Sequence, residues 1–442
     1  MRICAAVASV LLVVLVGNAS GAQQASPRGA KEHLASARQL GERALGQVLR
    51  PSLPTARSLL RALHAELAAA LDTLGAAELS PTTTAAIRSR IVAAVRAERR
   101  ALAELVSGSA SAPAAAAAVR GALAAEAKAA ALLANAPGRP VLSGVAIPSS
   151  VFGAFTLILG PDGRSVWVSG TDASQVLRYR SLAPGTQPTV FSFDEGSGPR
   201  GLAFGRDGAL YVAETGTDRG GNKIARIRPN GKIREFPLPT GAGAPWGIAV
   251  GADRRIWFSE ESSGKVGRLD PRTGRIVEYP LPTPHSQPQG IVLGPDGAIW
   301  GVEAGANKVF RITTAGRVRE YPVPTANSVP VAITAGRNGN LWVSELEGGK
   351  LLRISREGRM REFPLPRGAR PYGLVSAPDG NVWFADRGRS RIGLITPAGR
   401  VFEYTLSTPN AQPTAIVPLA HGSFAFTEFV GNRVGTLRFR QR

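Results

Sequence analysis

The chain is predicted to be an all-β seven-bladed β-propeller preceded by an α-helical bundle or hairpin domain, on three observations. The first is a recurring pattern. PWGIAVGADRRIWFSE, from Pro245 to Glu260, returns as PRGLAFGRDGALYVAE from Pro199 and PQGIVLGPDGAIWGVE from Pro288. It returns again as PVAITAGRNGNLWVSE from Pro330 and PYGLVSAPDGNVWFAD from Pro371. A weaker copy starts at Phe155 (FTLILGPDGRSVWVSG), and a last at Pro413 (PTAIVPLAHGSFAFTE) completes seven. The second is spacing. Pro199, Pro245, Pro288, Pro330, Pro371 and Pro413 stand 46, 43, 42, 41 and 42 residues apart, and a period near 42 rich in short strands marks propeller blades. The third is the stretch before the repeats, which is alanine-rich and helical in period.

The elements follow in order. Arg2, the apolar run Ile3 to Val16 and the small-residue stretch ending at Ala22 read as a secretory signal peptide over residues 1–22. The run is too short for a stable membrane span. The expected location is therefore secreted or periplasmic. Residues 27–136 form the helical domain: Leu60, Leu63, Leu67, Leu71 and Leu74 line one face, and Ser80-Pro81 opens a further helix. Asn135 to Pro140 reads as a linker.

The propeller occupies residues 137–442. In the third copy, short strands run from Gly247 to Val250, Ile256 to Ser259, Lys265 to Leu269 and Arg275 to Pro280, joined by tight turns. Four antiparallel strands per period make one blade. The last copy lacks a fourth strand, and PVLSGVAI at residues 140–147 supplies it. The N-terminal strand is thus expected to complete the seventh blade, a closure that leaves no long sheet edge.

Composition limits function. The formal charge is +21, from 53 Lys and Arg against 32 Asp and Glu, which raises the prospect of an anionic partner. The basic residues are scattered through every repeat, with no basic run flanked by stacking aromatics, so nucleic acid is not the expected partner. The single cysteine, Cys4, lies in the signal segment and provides neither a disulfide nor a nucleophile. No GxSxG, HExxH or phosphate loop occurs.

Strand direction brings the Pro-x-Gly motifs to one mouth of the central channel. Phe155, Arg200, Trp246, Gln289, Val331, Tyr372 and Thr414 should ring it. The x residue differs in every repeat while its flanks are kept. Phe155, Arg200, Trp246, Gln289, Tyr372 and Thr414 are accordingly the candidate ligand-binding residues, and a small molecule, peptide or glycan is the expected partner. Second strands end in Glu214, Glu260, Glu303, Glu345, Asp386 and Glu428. Recurrence in nearly every blade argues for a structural role, with Arg178, Arg226, Arg268, Arg311 and Arg353 of the third strands as partners. Glu260, Glu303 and Glu345 are also the candidate metal ligands. Trp167, Trp257, Trp300, Trp342 and Trp383 share one repeat position and read as packing between blades.

These repeats, with their PxGI, GPDGxLWFxE and EYPLP flavours, resemble the streptogramin B lyases, the virginiamycin B lyase family, from about Val151 to Arg442. The resemblance implies a seven-bladed propeller that opens a cyclic depsipeptide by carbon–oxygen elimination, with a magnesium ion as cofactor. It also implies a histidine base at the x of one Pro-x-Gly motif, a second histidine at the x of the preceding blade, and glutamates on the metal. This chain departs from that pattern, because no x residue is histidine. His285, in the loop before Gln289, is the only candidate catalytic base on the correct face. The expectation is therefore an exported propeller that binds a peptide, glycan or cell-envelope ligand at its mouth. The alternative is a magnesium-dependent lyase with a non-standard base.

Overall fold

The computed structural model describes residues 140–148, 153–216, 220–336 and 339–439. The expected signal segment, 1–22, and the expected helical domain, 27–136, lie outside them. The described chain forms seven four-stranded antiparallel sheets. Six are built from consecutive strands. The seventh has the order Val141–Ala146, Arg433–Arg438, Phe424–Glu428, Pro413–Pro418. Val141 faces Arg438 and Ala146 faces Arg433 across this closure. The ring is shut by main-chain hydrogen bonds between its two described ends, so no blade is left unpaired.

Each hydrophobic cluster belongs to two neighbouring blades. Trp257 of blade 3 packs with Ile291, Ile299 and Phe310 of blade 4, and Trp300 of blade 4 with Leu341, Val343 and Leu352 of blade 5. The tryptophans therefore act as interblade packing. In blades 3 and 4 the indole N–H is also used: Trp257 donates to Asp253 at 3.1 Å and Trp300 to Asp296 at 3.0 Å. The same aspartates take the backbone N–H two residues on. One acid in the GPDG-type turn thus caps the hairpin and satisfies the buried ring four residues later.

The Pro-x-Gly glycine has a steric cause. A Cβ at Gly247 would lie 2.3 Å from the Gln289 carbonyl oxygen, and one at Gly373 would lie 2.3 Å from that of Thr414. At these two positions a side chain would collide with the neighbouring inner strand, whereas blades 5 and 7 accommodate Ala332 and Ala415 at the equivalent place. A register shift at the x residue accompanies it, as between Pro245 and Ile248. Such a bulge re-aims one side chain.

The outer strands are clasped by a motif that the sequence reading missed. Thr283, in the loop leaving blade 3, donates its N–H and Oγ1 to Glu320 of blade 4 at 3.0 and 2.7 Å. Lys308 donates to both, at 2.6 Å to Thr283 and 2.7 Å to Glu320. The Thr240–Lys265–Glu278 and Thr325–Lys350–Glu362 sets repeat the arrangement. Burial disfavours ionised Glu320, but Lys308 and Thr283 outweigh it and hold the carboxyl below its ordinary range. Glu320→Ala should strand Lys308 and free the interblade loop, costing about 2 kcal/mol in chemical denaturation. Glu357→Ala, at an exposed pair with Arg359, should leave the transition in place. Equal behaviour of the two variants would remove the clasp from the account.

Candidate functional site

The x side chains converge as expected, but they fill the mouth rather than merely rim it. Phe155 of blade 1 reaches across the axis. Its ring lies 5.6 Å from Trp246 of blade 3, 5.7 Å from Tyr372 of blade 6 and 6.4 Å from Phe429 of blade 7, edge-on in each case. Phe155 is only 9% exposed. Below it, the first strands line an axial cavity of about 310 Å³ walled by Leu157, Leu202, Ile248, Ile291, Ile333 and their neighbours.

Arg200 supplies the charge. Its guanidinium carbon lies over Trp246, 3.6 Å from the ring centroid, and 5.1 Å from that of Phe155. The buried Nε and Nη1 have no hydrogen-bond partner among the described residues. Burial pulls the Arg200 pKa down, opposed by Tyr372, Glu261 and Asp172. Gln289 donates to Glu261 at 2.9 Å. Burial raises the Glu261 carboxyl, opposed by Gln289 and Arg200, and pushes the Tyr372 phenol up to about 12. Thr414 stands apart from the rest. It is 2% exposed, and its hydroxyl is spent on the Ala154 and Phe155 carbonyls at 3.1 and 2.8 Å. It anchors the strand that carries Phe155.

The x backbone is held from the blade before it. Ser259 donates to the Gln289 carbonyl at 2.6 Å, Ser344 to that of Tyr372 at 2.6 Å and Ser169 to that of Arg200 at 2.8 Å. The serine before the strand-end position, an acid in blades 3 and 5 and Gly170 in blade 1, is thus a positioning residue for its neighbour.

A second ring was missed in the sequence. The residue after each strand-end acid also faces the mouth region and also varies: Thr215, Glu261, Ala304, Leu346, Arg387 and Phe429. Arg387 lies 5.8 Å from Tyr372 and 5.3 Å from Phe429 over their rings, and donates to Gln412 at 3.1 Å. The signal was present, since this position diverges beside an unchanging one.

The strand-end acids do not meet the arginines expected of them. Glu214, Glu260, Glu303 and Glu345 are fully buried. Each stands opposite a lysine at the start of the third strand, as Glu260 does opposite Lys265 and Glu303 opposite Lys308. Burial raises Glu214 and Glu303 to about 8, and Glu260 and Glu345 to about 7. The arginines proposed as their partners lie at the opposite ends of the strands. Arg311 pairs with Asp296 at 2.6 Å, Arg178 with Asp162 at 3.5 Å, and Arg226 with Asp207. Strand direction explains this: the third strand begins beside the acid and carries its arginine at the far turn.

A magnesium ion, the cofactor that the resemblance implies, asks for several oxygen ligands in a near-octahedral set. Glu260, Glu303 and Glu345 do not converge on one. They belong to three blades, each beside its own lysine, and no cluster of three or more His, Cys, Asp or Glu suited to a metal occurs among the described residues. The residues present do not fit that ion. His285 is exposed in its loop at φ 54°, outside the aromatic cluster.

Comparison with known proteins agrees with this architecture. The model of the virginiamycin B lyase family matches residues 141–432. A streptogramin B lyase structure superposes with a TM-score of 0.64 at 31% identity, over 68% of this chain and 98% of that one. A catalytically inactive histidine-to-alanine variant of virginiamycin B lyase from Staphylococcus aureus, with quinupristin, superposes with a TM-score of 0.64 at 30% identity. It aligns over 68% of this chain and 100% of that one. The virginiamycin B lyase of Nocardia farcinica is 39% identical over 72 residues, so the alignment spans 24% of that protein and 16% of this chain. With two thirds of its length under the family model and all seven blades in place, the chain belongs to the virginiamycin B lyase family.

Proposed function

We propose that this propeller binds a peptide, glycan or other cell-envelope ligand at its channel mouth without turning it over, as an exported protein. The observation that carries the reading is the Phe155–Trp246–Tyr372–Phe429 cluster with Arg200 stacked on it. Apolar ring faces, a guanidinium and the Glu261–Gln289 pair suit a ligand with both ring and polar groups. The absence of imidazole from every x position supports a non-catalytic role. Elimination needs a base whose pKa lies near the working pH to take a carbon-bound proton. The aromatic cluster and Arg200 stand where such a base would have to reach.

Family membership supports a second reading, in which the chain opens a cyclic depsipeptide or lactone by elimination, with His285 as base. The two separate in one experiment. The full chain is incubated with quinupristin and magnesium, with and without EDTA, and the products are followed by chromatography and mass spectrometry. Expected is no conversion at high protein concentration. A ring-opened product of unchanged mass, lost with EDTA and in His285→Ala, would establish the lyase reading in its place.

A further inference from the structure

The positive charge that looks scattered along the sequence is gathered by the fold. Antiparallel topology places every turn between third and fourth strands on the face opposite the mouth, together with the GPDG-type turns. In blades 2 to 5 these outer turns read RIRPNGKIR from Arg226, RLDPRTGR from Arg268, RITTAGRVR from Arg311 and RISREGRMR from Arg353. They hold fourteen basic residues against two acids, Asp270 and Glu357, on four adjacent blades. Further along the fourth strands the charges balance: Glu235, Glu278, Glu320 and Glu362, each in mid-strand, pair with Lys223, Lys265, Lys308 and Lys350, and Glu403 pairs with Arg389 and Arg391.

Three blades repeat one device. Arg226 faces Arg234, Arg311 faces Arg319 and Arg353 faces Arg361 as cross-strand partners. Like charges directly opposite one another cost stability. The inner arginines of blades 2 and 4 are taken up by Asp207 and Asp296. Arg234, Arg319 and Arg361 make no ion pair among the described residues. Each is exposed and lies over an aromatic ring, Phe236 at 4.7 Å, Tyr321 at 4.9 Å and Phe363 at 4.9 Å. A guanidinium held against a ring still offers outward N–H groups in a fork that suits phosphate oxygens.

We propose that this face docks the propeller onto an anionic phospholipid surface, with the channel mouth turned away from it. The arginines recur at blade spacing around an arc, so no polymer of fixed repeat has to match them. Mobile lipid phosphates adjust to each one. Ile233 is the one large hydrophobic exposed within these four turns, at 37%, so the attachment is electrostatic adsorption without insertion and is screened by salt. Nucleic acid fits less well. The rings that could stack bases are covered by the arginines, and the described residues contain no α-helix to enter a groove.

The test is flotation of the full chain with vesicles of phosphatidylcholine alone or with about 30% phosphatidylglycerol. Expected is binding to the anionic vesicles only, abolished in high salt. Arg234→Glu/Arg361→Glu should lower partitioning about tenfold or more, and Arg234→Gln/Arg361→Gln should lower it less, in step with charge removed. Arg367→Glu/Arg370→Glu makes the same charge change at exposed sites on the mouth side and should bind as the parent does. Circular dichroism melts establish that each variant folds. Equal loss in both reversal pairs would mean that overall charge alone acts, and would overturn the proposal. So would binding of labelled duplex or single-stranded DNA at an ionic strength where the anionic vesicles are left unbound.

Discussion

The melting temperature of the propeller should fall as pH rises from about 5 to 8.5, and Glu214→Gln should remove part of that fall. Glu214 is fully buried at the end of its strand, and neither carboxylate oxygen has a hydrogen-bond partner among the described residues. Burial raises it from 4.5 to about 8; Glu235 and Asp194 add to the shift and Lys223 opposes it. Between those values the unfolded chain has released this proton and the folded chain still holds it. Stability from this group is therefore complete below about 4.5 and lost by about pH 8, on the order of 4 kcal/mol for such a shift. Glu260, Glu303 and Glu345 shift the same way. The clasp acids Glu278, Glu320 and Glu362, held low, work in the other direction and lose their contribution in acid. A stability optimum near pH 5 is expected. Glutamine keeps the shape and cannot ionise, so Glu214→Gln should melt close to the parent at pH 5 and several degrees above it at pH 8.5. An unchanged difference across that range would show that Glu214 does not titrate as its burial requires.

Phe155→Ala should cost about 3 kcal/mol, roughly 5 to 10 °C in melting temperature. Among the described residues, Phe155 is the one side chain that touches aromatic rings from blades 3, 6 and 7 at once. Its loss would connect the axial cavity of about 310 Å³ with the mouth. Arg200 would also lose one of the two rings beneath it. Val331→Ala removes less buried surface at the equivalent position of blade 5, is 5% exposed, and should cost about 1 kcal/mol. Comparable small losses in both variants would mean that Phe155 occupies the mouth without bracing it.

What the sequence by itself determined is what repetition can encode. Blade number, four strands per blade, the interblade place of Trp257 and Trp300, and the missing fourth strand of the last copy all follow from position within the period. Such features depend on neighbours along the chain or one repeat away, and seven copies report each of them. The convergence of the x residues on one mouth follows from strand direction in the same manner.

The tertiary structure alone decided what happens across the ring. That Phe155 reaches blades 3 and 6 depends on the width of the closed channel, and no local pattern carries that width. The placing of buried acids opposite lysines, and the pairing of arginines with turn aspartates, were set by strand ends lying on opposite faces. The clasp from Thr283 to Glu320 joins residues 37 apart, close to one period, so each half looks like an ordinary loop or strand until the blades stand side by side. The basic face arises in the same way: arginines spread along the sequence come together because every blade turns its outer hairpin toward the same side of the ring.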